Sequence, residues 1–154
     1  MSTRRTILST AFPEAFKQLL GLHEIVTEAA TEAGLDPKLI ELLKIRSSQL
    51  NGCAYCTDMH TRDARKLDET ERRLYLLPVW RETDLYTEQE RAALALAESM
   101  TTLSQTQDVP DEVYQPAAEL FSERQLVVLA WATAVINTFN RFGVASRTPL
   151  PRAV

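Results

Sequence analysis

The sequence has little cysteine, no long apolar run and no excess of basic charge, and each shortage removes a class of protein. No stretch approaches the roughly 18 consecutive apolar residues that a membrane-spanning helix needs. Arg4 and Arg5 open the chain, but no long apolar segment and no small-residue cleavage site follow them, so a secretory leader is not expected. The formal net charge is −4, and two adjacent arginines do not make a basic arm. Neither nucleic acid nor an anionic membrane surface is therefore the expected partner. Sustained apolar/polar alternation rich in β-branched residues is missing, so strands are not expected. No internal repeat with a period of about 20–50 residues stands out. What remains is a soluble, cytoplasmic, all-α chain, and its 154 residues suit a single domain over 1–154 with one sizeable core.

The cysteines are only two, Cys53 and Cys56, with none elsewhere to pair with. A disulfide between them closes almost no loop, so stabilising the fold is not their evident purpose. Chemistry or a metal is.

Helical periodicity accounts for most of the chain. A first helix is expected from Pro13 to Glu32, with Gly34 as its stop. Asp36 then caps a helix that has Pro37 in its first turn and runs to Leu50, ending at Asn51–Gly52. A third helix runs from near Cys53 to Lys66. A short one, from Glu71 to Leu77, is expected to end at Pro78. Thr87–Glu90 and Ser122–Gln125 are capping boxes. They open helices expected to reach about Leu103 and Phe142, the second stopped by Gly143, with a helix from Asp111 to Phe121 between them. The last helix is apolar on several sides, from Leu126 through Trp131 to Phe139, which predicts a central position and contact with another subunit. The tail from Ala145 is expected to lie loose or to wrap a neighbour.

Positions 53, 56 and 60 lie at i, i+3 and i+7, so Cys53, Cys56 and His60 share one helical stripe. The thiolate is the reactive form of cysteine. A helix N-terminus favours it, and an imidazole one turn away can take the proton. Both effects act on Cys56, and Cys53 at the cap is placed to close a disulfide with it. This differs from thioredoxin-like proteins, where the first cysteine is the exposed nucleophile. If helices two and three form an antiparallel hairpin about the Asn51–Gly52 turn, Glu41 comes opposite His60. There it could orient the imidazole and complete a relay from thiol to His60 to Glu41. Burial would raise the Glu41 pKa and nearby positive charge would lower it. Three other readings stay open: an inert pair, a zinc site built from Cys53, Cys56, His60 and Glu41, and a redox sensor or partner-binding module without turnover. His23 reads as structural. Trp80, Arg81 and Tyr86 line either a substrate entrance or, preferably, a capped loop.

The pattern Glu41, eleven residues, Cys53-x-x-Cys56, three residues, His60 resembles the core motif of the AhpD-like alkylhydroperoxidases of the carboxymuconolactone decarboxylase superfamily. Leu43–Cys53 resembles the family's helix leading into the cysteines, and Asn137–Arg141 its N-x-x-N-R helix. The resemblance spans roughly residues 12–145 and implies an AhpD-like fold of about six to eight helices, a hairpin among them carrying the cysteines. It implies a thiol-dependent peroxidase needing no cofactor. Cys56 would reduce hydrogen peroxide or an organic hydroperoxide, Cys53 would resolve the sulfenic acid to a disulfide, and an external thiol donor would reduce it. Glu41 and His60 would form the proton relay, and the protein would be a homo-oligomer, a trimer or hexamer. Tyr55 stands where many members carry a histidine. A phenol donates a hydrogen bond but does not accept a proton near neutral pH as imidazole does, so Tyr55 would modulate the centre. The decarboxylase branch lacks the cysteine pair, so lactone decarboxylation is not expected.

Overall fold

A computed structural model describes residues 4–151, and among them the chain is helical with no strand. The helices are α1 (Pro13–Glu32), α2 (Pro37–Leu50), α3 (Ala54–Lys66), α4 (Glu71–Leu76), α5 (Glu88–Thr101), α6 (Leu103–Thr106), α7 (Asp111–Leu120) and α8 (Glu123–Ser146). A 3₁₀ segment, Leu77–Glu82, follows α4. Helix starts follow the local chemistry. The Asp36 carboxylate accepts the Lys38 N–H at 2.8 Å to begin α2, and both capping boxes form, at Thr87–Glu90 and Ser122–Gln125. Each such cap contributes about 1 kcal/mol.

The short helix expected to end before Pro78 does so, and two other expected stops fall elsewhere. Helix α4 ends at Leu76, and Pro78 lies in the first turn of the 3₁₀ segment, a position where its missing N–H costs nothing; the chain kinks at Val79 (φ −122°) before reaching Glu82. The loop expected at Gln105 is partly taken up by α6. Gly143 is inside α8, which ends three residues later at Ser146 and is capped by Arg147 in the left-handed conformation (φ 50°), with the Thr148 N–H returning to the Gly143 carbonyl at 3.0 Å. The segment expected to be loose is tied at its start. The Arg5 guanidinium donates to the Ala145 carbonyl and the Leu8 N–H to the Ser146 hydroxyl, both at 2.9 Å. Residues 152–154 of that tail lie outside the described residues.

The helix enclosed on every side is α2, not α8. Leu39 through Ile45 are all buried, Glu41 and Lys44 among them. One face of α2 joins α1, α5, α7 and α8 in the larger core through Leu39, Ile40 and Leu43. The opposite face joins α3, α4 and the 3₁₀ segment through Leu42 and Ile45. Helix α8 has the length and apolar composition of a membrane span. Its Leu126, Leu129, Ala132, Val135 and Ile136 are nevertheless buried against the other helices, while Val127 and Trp131 are half exposed. Trp80 and Tyr86 belong to the smaller core. The Trp80 indole donates to Glu98 at 2.9 Å and Arg73 stacks over the Tyr86 ring, so these residues brace α5 and do not line an entrance.

Candidate active site

The hairpin of α2 and α3 turns at Asn51–Gly52, where Gly52 takes φ +67°. Only glycine adopts that conformation without strain. The turn delivers Cys53 to the N-cap of α3. There its sulfur accepts the Cys56 backbone N–H at 3.4 Å and lies 2.6 Å from the Cys56 sulfur. Both thiols are free and buried. The Cys56 S–H donates to Cys53 and, against the opposing effect of burial, the Cys56 N–H, the Asn140 amide and the Tyr55 N–H bring the Cys53 thiol down to about 6. The Cys56 thiol is pushed up, because its proton is held by Cys53 and burial disfavours its charge. The helix start thus stabilises an anion on the first cysteine.

A cavity of about 420 Å³ opens beside α3, walled by Phe16, Leu20, Val26, Ile136 and Phe139, and Cys56 and His60 both face it. Cys53 instead borders a shallow groove on the far side, with Arg62 and Arg65. The two equally buried sulfurs therefore border different concavities, with the anion on one and the apolar cavity at the other. Tyr55 is half-buried on the cavity wall beside Cys56.

Glu41 reaches His60 across the hairpin, with Glu41 Oε2 at 2.8 Å from His60 Nδ1. Its other oxygen accepts from the buried Lys44 ammonium at 2.9 Å. Burial works to raise the Glu41 pKa, but the hydrogen bond from His60 and the charge of Lys44 outweigh it and hold the carboxyl below its ordinary value. A carboxylate at Nδ1 sets the tautomer with the proton there, which leaves Nε2 as the basic nitrogen. Lys44 was not singled out from sequence. The signal was its i, i+3 spacing from Glu41 amid buried neighbours.

The asparagines of α8 fasten this arrangement. The Asn51 amide donates to Asn137 and Asn140 at 2.8 and 2.9 Å, and Asn140, fully buried, donates to the Ser48 hydroxyl at 2.9 Å. Ser48 in turn donates to the Lys44 carbonyl at 2.7 Å. The turn that presents Cys53 is thereby locked to α8.

One turn further along α8, Gly143 forms the seat of the sulfurs. A Cβ on that residue would stand 2.8 Å from the Cys53 sulfur and 3.7 Å from that of Cys56. Gly143→Ala is expected to leave the unfolding free energy within about 1 kcal/mol of wild type, since alanine favours the helix. The Cys53 sulfur must then leave its capping position. Its thiolate absorbance should appear at higher pH and the disulfide should close more slowly. An unchanged thiol titration would show that Gly143 has no such role.

The four proposed zinc ligands do not converge. Among the described residues, the acidic and histidine groups close enough to share an ion are Glu41, His60 and Asp63, without either cysteine. Lys44 already holds Glu41, and the Lys66 ammonium holds Asp63 at 2.7 Å. His23, read from sequence as structural, stands on the cavity wall.

Comparison with known proteins shows the family and the fold. The model of the carboxymuconolactone decarboxylase family matches residues 13–99. The uncharacterized protein YdfG of Bacillus subtilis is 42% identical over 133 residues, covering 86% of this chain and 87% of that one. A crystal structure from Agrobacterium tumefaciens, a protein of unknown function described as a candidate antioxidant defence protein AhpD, superposes with a TM-score of 0.88 at 36% identity over 98% of this chain and 100% of that one. The debrominase Bmp8 shares the fold, with a TM-score of 0.81 at 22% identity over 94% of this chain and 75% of its own. With its all-helical fold and its cysteine hairpin, the chain belongs to the carboxymuconolactone decarboxylase family, among the AhpD-like proteins.

Proposed function

We propose that the protein is a thiol-dependent hydroperoxide reductase that cycles through a Cys53–Cys56 disulfide. The observation that carries this reading is a pair of free sulfurs 2.6 Å apart at a helix start, one of which faces an apolar cavity. With His60 Nε2 as base, Cys56 loses its proton and its sulfur attacks the terminal oxygen of a hydroperoxide. The O–O bond breaks and an S–O bond forms. The sulfur is oxidised by two electrons to the sulfenic acid, and the alkoxide leaves with the thiol's proton as an alcohol. Cys53 then attacks the Cys56 sulfur and expels hydroxide, which takes up a proton as water. An external dithiol returns the two electrons. Glu41 holds His60 and balances the imidazolium without itself needing to be protonated. The cavity wall suits an organic hydroperoxide better than hydrogen peroxide, because its apolar atoms gain nothing from the smaller, polar substrate.

A resting dithiol suits the reducing cytoplasm. The half-exposed Val127 and Trp131, one turn apart on α8, fit a self-association surface, in keeping with a trimer or hexamer.

The test is to mix reduced protein with cumene hydroperoxide and dihydrolipoamide. Two protein thiols should disappear per hydroperoxide consumed, and consumption should continue at the expense of the dithiol. Consumption no faster than with dithiol alone rejects the enzyme. A single stoichiometric oxidation without turnover marks the pair as a redox sensor.

A further inference from the structure

His23 is the other of the chain's two histidines, and the hydroperoxide chemistry described above does not use it. It projects from α1 into the cavity that Cys56 and His60 also face. Its ring meets Phe139 edge-on at 5.9 Å, and Phe139 meets Phe16 in the same way at 6.5 Å. Three other polar groups on this wall are engaged within the protein. Lys44 donates to Glu41, His60 Nδ1 faces Glu41, and the Thr27 hydroxyl donates to the His23 carbonyl at 2.9 Å. The half-buried His23 imidazole makes no hydrogen bond to another described residue, so its N–H is free toward the cavity. A donor placed on an apolar wall beside the reacting sulfur is positioned to meet a molecule held in the cavity.

We propose that His23 is a catalytic residue whose imidazole N–H hydrogen-bonds the oxygen that leaves as alkoxide when Cys56 attacks an organic hydroperoxide held in the cavity. The proposal rests on the peroxidase reading and adds a second imidazole with a separate task. His60 takes the thiol proton, while His23 meets the charge that develops on the leaving oxygen as the O–O bond breaks. A hydrogen bond from a donor held in an apolar wall is strongest at that moment. The proton stays on His23 throughout, and the alkoxide receives its proton from the original thiol by way of His60. Burial, then the positive charges of Lys44 and His60, lower the His23 pKa against the opposing pull of Glu41 and Glu24, which keeps the ring neutral and its single N–H available.

The test compares wild type, His23→Leu, His23→Phe and His23→Gln in the reduced state. Each is mixed with cumene hydroperoxide in stopped flow to follow loss of the dithiol, and separately with iodoacetamide. Alkylation by iodoacetamide expels iodide and has no leaving oxygen to stabilise, so it reports thiol reactivity alone. His23→Leu and His23→Phe should slow oxidation by about 10- to 100-fold. His23→Gln, which keeps a donor, should recover most of the rate, and iodoacetamide should react alike in all four. Equal oxidation rates overturn the assignment, as does equal slowing of both reagents. If the wild-type pair is not oxidised by the hydroperoxide, the peroxidase reading falls and the role of His23 falls with it.

Discussion

Cys56→Ser is expected to lower hydroperoxide turnover by at least about 10³-fold, although it leaves the more acidic thiol of the pair in place. A serine hydroxyl at position 56 can still donate to the Cys53 sulfur, and the backbone N–H of residue 56 still caps it, so the thiolate at the helix start persists. What the variant loses is the sulfur that faces the cavity. Cys53→Ser should behave differently. Serine is a good N-cap, so α3 should form normally. Cys56 should then be oxidised once and stop, leaving a sulfenic acid that dimedone traps at one per chain. The pair of variants separates charge from contact with the cavity. A Cys56→Ser protein that reacts at the wild-type rate in its first oxidation would make Cys53 the attacking sulfur and reverse the roles.

Glu41→Gln should lower turnover by about 10²-fold and stability by about 1–3 kcal/mol. The carboxylate accepts from both Lys44 and His60, and a carboxamide has only one oxygen to offer them. Its NH₂ group would face one of the two donors. Lys44 would remain buried without a counter-charge, and His60 would lose the group that fixes its tautomer. The dependence of stability on pH has a definite sign. The Glu41 pKa is depressed in the folded protein, so its contribution is present above the ordinary value of 4.5 and is lost as pH falls through the lower, folded value. Glu41→Gln should therefore narrow the gap to wild type as the solution is acidified. Urea unfolding across that range measures it. A constant gap at every pH would mean that the carboxylate's charge is not what holds the hairpin, and wild-type turnover would remove Glu41 from the reaction.

Much of this centre was legible as spacing along single helices. The Asp36–Pro37 start, both capping boxes and the shared stripe of Cys53, Cys56 and His60 depend on residues within about two turns of one another, and a sequence states those relations directly. Glu41 came within reach because a short turn forces its two helices into an antiparallel pair. Lys44 was passed over because a lysine on a helix is most often solvated. The apolar pattern of α8 drew attention to the wrong helix. In α2, the buried charge of Lys44 is neutralised by Glu41 on the same helix, so a polar sequence hides a central position.

By itself, then, the sequence determined the all-α class, most helix limits, and a Cys–Cys–His face with Glu41 across the turn. The tertiary structure decided what lies across the gaps between helices. Gly143 reads locally as a stop, yet it lies inside a helix, where the Cys53 sulfur takes up the space that a side chain would need. His23 reads locally as structural, yet α1 carries it into the cavity beside Cys56. Only the packing of α1, α3 and α8 around the buried α2 divides the pair into one cysteine that holds the charge and one that meets the cavity, because burial, access and hydrogen bonding all depend on neighbours remote in the chain.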